Sequence, residues 1–123
     1  MSTLNVSNIT DGTDTVGTSY VVNGSAKAWC NIDAAIGTPS FADSMNFSSV
    51  TDVGTGNFDP DFTTAMASSN FAVSSGSNAY GLGNDHMTAT VRASTGITIN
   101  CSYLWSGARD RPNNCAIVMG DLA

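Results

Sequence analysis

The residue types able to do chemistry are few, and their spacing argues against a catalytic set. His86 is the lone histidine, so a histidine metal cluster within one copy is excluded. Serine and aspartate are plentiful, yet no Gly-x-Ser-x-Gly elbow marks a nucleophile. Asp85-His86 follows Gly81-Leu82-Gly83-Asn84 and reads as a loop entering a strand. The paired carboxylates are Asp59/Asp61, around Pro60, and Asp11/Asp14, around Gly12-Thr13. Aspartate at such places forms turns and keeps them soluble. A glycosidase needs a carboxylic acid of raised pKa in a cleft, and the chain has no glutamate for that role. Asp11-Gly12-Thr13-Asp14 also lacks the ligand series of a calcium loop. Cys30, Cys101 and Cys115 have no metal-type spacing and read as buried, reduced, small apolar residues, with one disulfide plus one free thiol as the alternative. No catalytic residue, cofactor or metal is expected, and the chain is not expected to be an enzyme.

What remains points to contact. Lys27, the only lysine, stands two residues before Trp29 in Gly24-Ser25-Ala26-Lys27-Ala28-Trp29-Cys30-Asn31-Ile32. In a strand, Ala26, Ala28, Cys30 and Ile32 face one way and Ser25, Lys27, Trp29 and Asn31 the other. The plain expectation lays the lysine stem along the indole, with its ammonium in solvent or near an aspartate. The sharper one puts this face at a subunit seam, with Lys27 paired to an aspartate of a neighbouring chain. Arg109-Asp110-Arg111 is the one local basic cluster, partly neutralised by Asp110, and is expected as a loop or subunit contact. Tyr80, in Asn78-Ala79-Tyr80-Gly81, is the residue for stacking on a sugar.

The elements that must position these residues follow from composition. The chain has 123 residues, 11% of them charged, a net charge of −6, and neither glutamate nor glutamine. Long helices have little to build on, whereas short apolar runs amid Ser, Thr, Asn, Gly and Asp are the texture of strands joined by tight turns. Strands are expected at Tyr20–Val22, Ser25–Ile32, Met45–Val50, Phe58–Phe62, Phe71–Val73, His86–Ala93, Ile97–Trp105 and Cys115–Met119. The clearest alternation is Ile97 to Trp105, with Ile97, Ile99, Cys101, Tyr103 and Trp105 on the core face. Pro60 lacks an amide N–H, which predicts an edge or a bulge.

The fold expected is all-β: a compact antiparallel β-sandwich or jelly-roll-like domain over residues 20–123, with a short extended N-terminal arm over 1–19. The arm's substantial apolar residues before Val16 are Leu4, Val6 and Ile9, too few to fold alone, so a partner surface is expected to order it. The acidic balance argues against nucleic acid and against an anionic membrane surface as partners. No secretory signal is legible at the N-terminus, so the Asn-x-Ser/Thr sequons are expected to stay unmodified.

Several ordered strings resemble the C-terminal regions of tail-fibre-type proteins of marine phages. They are Val21-Val22-Asn23-Gly24-Ser25-Ala26-Lys27-Ala28-Trp29, Asn46-Phe47-Ser48-Ser49-Val50-Thr51-Asp52 continuing through Gly54-Thr55-Gly56-Asn57-Phe58, Phe62-Thr63-Thr64-Ala65-Met66, Asn70-Phe71-Ala72-Val73, and the ending Gly120-Asp121-Leu122-Ala123. Cys30, where such proteins tend to carry a plain apolar residue, and Asp59-Pro60 depart from the pattern. The resemblance implies a non-enzymatic virion protein, an all-β homotrimer on a phage particle, made in the host cytoplasm and displayed on the virion surface. Because only about twenty residues precede the domain, the expectation is a knob-like capsid decoration (cement) protein. Its arm would touch the major capsid protein through Leu4, Val6 and Ile9, and its seams would involve Lys27, Trp29, Arg109 and Arg111. The alternative is a short tail fibre or receptor-binding tip that recognises host-surface glycan through Tyr80.

Overall fold

Alternation in Gly96–Tyr103 produces the central strand of one sheet. Ile97, Ile99 and Cys101 are buried, while Thr98 and Asn100 on the opposite face are half-buried and exposed. The computed structural model describes residues 1–35, 37–77, 85–103 and 107–123. In chain order the elements are β1 (Asn8–Thr10), β2 (Thr15–Gly17), α1 (Thr18–Gly24), β3 (Ala26–Asp33), β4 (Ser40–Met45), β5 (Phe47–Gly54), β6 (Asn57–Phe62), β7 (Ala72–Ser77), β8 (Asp85–Ala93), β9 (Gly96–Tyr103), β10 (Gly107–Ala108) and β11 (Asn114–Met119). The protein is all-β, and every named pairing is antiparallel. A four-stranded sheet runs β4-β3-β11-β7. A five-stranded sheet runs β10-β9-β6-β5, with β8 on the other edge of β9. β1 and β2 form a separate hairpin.

One core takes side chains from both larger sheets. Ala28, Cys30, Ile32, Ala116 and Val118 come from the four-stranded sheet, and Phe47, Phe58, Phe62, Ile97, Ile99 and Cys101 from the five-stranded one. A run of phenylalanines ties the sheets together. Phe41 of β4 lies 5.8 Å from Phe47 of β5, Phe47 lies 5.0 Å from Phe62 of β6, and Phe62 meets Phe71, just before β7, at 5.7 Å. Between β4 and β5 the chain turns through Asn46 at φ 59, a conformation that asparagine tolerates better than most residues. The Asn46 amide donates to the carbonyls of Lys27 and Thr64, each at 3.1 Å, and its Oδ1 accepts from the Thr64 N–H at 2.8 Å. Asn46 therefore fastens β3, the corner and the segment after β6 in one place.

Two expectations need correction. Tyr20–Val22 is helical, inside α1, so the arm is a hairpin followed by a helix and not an extended strand leading into the domain. Val21 and Val22 favour strand, but no neighbouring strand pairs with them, and the local turn wins. Pro60 lies in β6, between β5 and β9, and not at an edge. The β6–β9 ladder is continuous at Asn57–Phe58 and at Asp61 and lapses at Asp59 and Pro60. Pro60 shares its parity with Phe62, whose N–H bonds to Thr95 of the β8–β9 turn at 2.8 Å, so the missing donor faces β9. Thr98 Oγ1 spans that gap by donating to Asp59 Oδ1 at 2.6 Å. A side chain thus does what the backbone cannot. Strands β1, β2, β10 and most of β4 were not expected. β9 is described as far as Tyr103, and Leu104 and Trp105 lie outside the described residues.

Candidate functional site

The outer faces of the two larger sheets differ in kind. On the five-stranded sheet, Thr90 stands opposite Thr98, Thr98 bonds to Asp59, and Asp59 stands opposite Thr51. Arg92 of β8 reaches across this row. Its Nε lies 3.5 Å from Asp59 Oδ2, and its Nη2 donates to Asp61 Oδ1. Ser49 Oγ adds a bond to Asp61 Oδ2 at 3.4 Å. Such exposed pairs add little stability, but they leave this face polar, with its charged groups paired to one another.

The equivalent row of the four-stranded sheet is Met45, Trp29, Ile117 and Ser74, each directly opposite the next across β4, β3, β11 and β7. Ile117 is 45% exposed and Met45 40%, Met119 is similarly open, and Trp29 is half-buried. The reason lies in β11, whose Cys115-Ala116-Ile117-Val118-Met119 is apolar at every position. Ala116 and Val118 enter the core, and Ile117 and Met119 are left outside. A strand apolar on both faces is built to be covered on both. Small Ser74 and Gly76, opposite Ile117 and Cys115, leave a shallow groove of about 250 Å³ along β7 and β11.

Lys27 sits at one end of this face and explains its own isolation. Ala28 pairs with Val118 and Ala26 with Met119, so Lys27 is the extra residue of a bulge. The bulge turns its ammonium back to the helix. It donates to the Val22 carbonyl of α1, to the Ser25 carbonyl at 3.1 Å and to Ser25 Oγ at 2.6 Å. A cation on the last carbonyls of a helix is favourable. Within the chain, the Lys27 ammonium meets these helix-end oxygens and no aspartate among the described residues. Beside it, Val21, Val22, Ser25, Lys27, Asp121 and Leu122 line an open cleft of about 590 Å³.

The arm is the second open apolar surface. Leu4 is 82% and Tyr20 76% exposed, Val6, Ile9, Val16, Val21 and Val22 are also exposed, and α1 has no buried residue. Ile9 stands opposite Val16, so both lie on one face of the hairpin. The turn between them is well made: Asp11 Oδ1 accepts the N–H groups of Asp14 at 2.8 Å and Thr13 at 3.0 Å. Those bonds hold the Asp11 carboxyl below its ordinary pKa. Thr18 closes the base of the hairpin, its N–H donating to the Ser7 carbonyl at 2.9 Å. The arm is thus shaped but unsupported: a seven-residue helix without a side-chain N-cap bond and a hairpin of three-residue strands are each marginal alone.

The other candidate residues lie elsewhere. Arg109 holds its guanidinium 4.8 Å from the centre of the Tyr103 ring. Asp110 Oδ1 accepts the Gly56 N–H at 2.7 Å. The Arg111 carbonyl accepts from the Ala34 N–H at 3.1 Å and from the buried Asn114 amide at 2.5 Å. This cluster fastens the β5–β6 turn and the start of β11 within the chain. Gly56, at φ 66, must be glycine, because a Cβ there would lie 2.7 Å from the Arg109 nitrogen. His86 is exposed in β8, opposite Ser102. Among the described residues no disulfide joins Cys30, Cys101 and Cys115. Cys30 and Cys101 are buried and Cys115 is half-buried. Burial pushes the Cys30 thiol up to about 12 and also raises Cys115. Tyr80 lies outside the described residues.

No family model, curated protein or solved structure matches this chain. Sequence reasoning singled out Trp29 and the arm residues but missed Met45, Ile117 and Met119, although the unbroken apolar run of β11 signals two covered faces.

Proposed function

We infer that this chain is a non-enzymatic virion surface protein, a knob-like capsid decoration whose two larger sheets form a β-sandwich and whose copies associate as a homotrimer. The observation that carries this reading is the arm: seven apolar side chains from Leu4 to Val22 stand exposed on a shaped but unsupported hairpin and helix and on the segment before them. Apolar surface of that extent, held away from the core, is the mark of a segment completed by a partner. The shared core and the phenylalanine run between the sheets support the sandwich. The uncovered row Met45–Trp29–Ile117 supports association between copies. On a particle, many identical weak contacts then add through multivalency. Immunogold labelling of intact particles with antibody to the purified protein tests the location. Label over the head is expected. Label confined to the tail tip, or its absence from particles, overturns the decoration reading.

A further inference from the structure

We propose that copies associate by arm exchange: the arm of one copy lies across the outer face of the four-stranded sheet of the next, with Ile9 and Val16 set against the Trp29–Ile117 row. This rests on the self-association proposed above and names the surfaces that make it. Both surfaces are apolar and open within the same chain, so each copy supplies what the other lacks. The arm does not cover its own sheet. Lys27 ties the end of α1 to the bulge at the margin of the face, and Ile9, Val16, Ile117 and Met45 all remain exposed.

Area and shape favour an arm over a second sheet. Four strands at about 4.8 Å spacing, with about six residues at 3.3 Å rise, give a face on the order of 400 Å². A standard interface takes roughly 800 Å² from each partner. Sheet against sheet buries only the face of each copy, whereas exchange buries the face and the arm of every copy, and the arm is itself ordered by the contact. The groove beside Ile117, left by Ser74 and Gly76, offers depth for side chains from a narrow hairpin and little for a flat sheet. Giving an arm to one neighbour and receiving one from another is a heterologous contact, which closes as a ring of three when the rotation between copies is threefold.

Sedimentation velocity on the full chain tests this, with Ile9→Asp in the arm, Ile117→Asp on the face and Thr90→Asp on the other sheet as control. Wild type and Thr90→Asp are expected at three times the 12.6 kDa chain mass, and both other variants at one. A flexible bis-maleimide should also join Val16→Cys of one copy to the native Cys115 of the next, and Cys115→Ser should abolish that covalent dimer. Wild type at a single chain mass at every concentration overturns the exchange together with the self-association on which it rests. An oligomer that survives Ile9→Asp but not Ile117→Asp, with no cross-link, overturns the exchange alone.

Discussion

Two outward rows occupy equivalent places in the molecule. Thr90, Thr98, Asp59 and Thr51 cross the five-stranded sheet, and Met45, Trp29, Ile117 and Ser74 cross the four-stranded one. The first is stitched by Arg92 to two carboxylates and by Thr98 to Asp59, so its charged groups already have partners. The second has apolar side chains that the described residues leave open, Met45 and Ile117 most of all. Both sheets give their inner faces to the same core, so stability of the domain does not explain the contrast. One sheet ends at water, and the other is prepared for further contact.

The comparison requires that the two sheets be held as one body, and the largest effect is expected where they join. Asn46→Ala removes three hydrogen bonds and places a Cβ-bearing aliphatic at φ 59. The loss should be about 3 kcal/mol in denaturant unfolding, with assembly failing as a consequence of unfolding. Trp29→Ala should act in the opposite way. It should weaken association by about 2 kcal/mol, or roughly thirtyfold, in sedimentation equilibrium, and the Thr98→Ala variant should not. Equal effects of the two would erase the distinction between the faces.

Arg92→Ala should cost only about 0.5 kcal/mol of unfolding free energy, because its ion pairs are partly exposed, and should leave oligomer mass unchanged. The cysteines separate inside from outside without large energy changes. Alkylation of the native protein should reach Cys115 first, and Cys30 only on unfolding, as peptide mapping would show. Burial raises the folded Cys30 thiol to about 12 from a reference of 9.0. Its contribution to stability is complete below pH 9 and fades as pH climbs toward 12, because the unfolded thiol ionises first. The Cys30→Val variant should show a flatter decline in denaturation midpoint over that window.

Much of the fold was legible because single strands carry their own signal. The alternation in β9 marked its core face, and the small residues Ala28 and Cys30 marked the inner face of β3. What was not legible depends on partners distant in sequence. Val21 and Val22 carry strand propensity, yet without a neighbouring strand they wind into α1. Pro60 suggested an edge or a bulge because its lost hydrogen bond is a local fact, whereas the bond from Thr98 that spans the gap comes from another strand. The sequence set Lys27 along the Trp29 indole with its ammonium in solvent or near an aspartate, and only the bulge set by β11 pairing shows that it reaches the end of a helix. The site was half visible. Trp29 stood out by type, while Met45 and Ile117 joined it only through register.

Carbene footprinting of the native protein at working concentration, read by peptide mass spectrometry, tests the central contrast most directly. Trp29, Met45, Ile117 and Met119 should be protected and should gain label on dilution to single chains, while Thr88, Thr90 and Asn100 on the other sheet label strongly throughout. Equal labelling of both faces at every concentration would contradict the account.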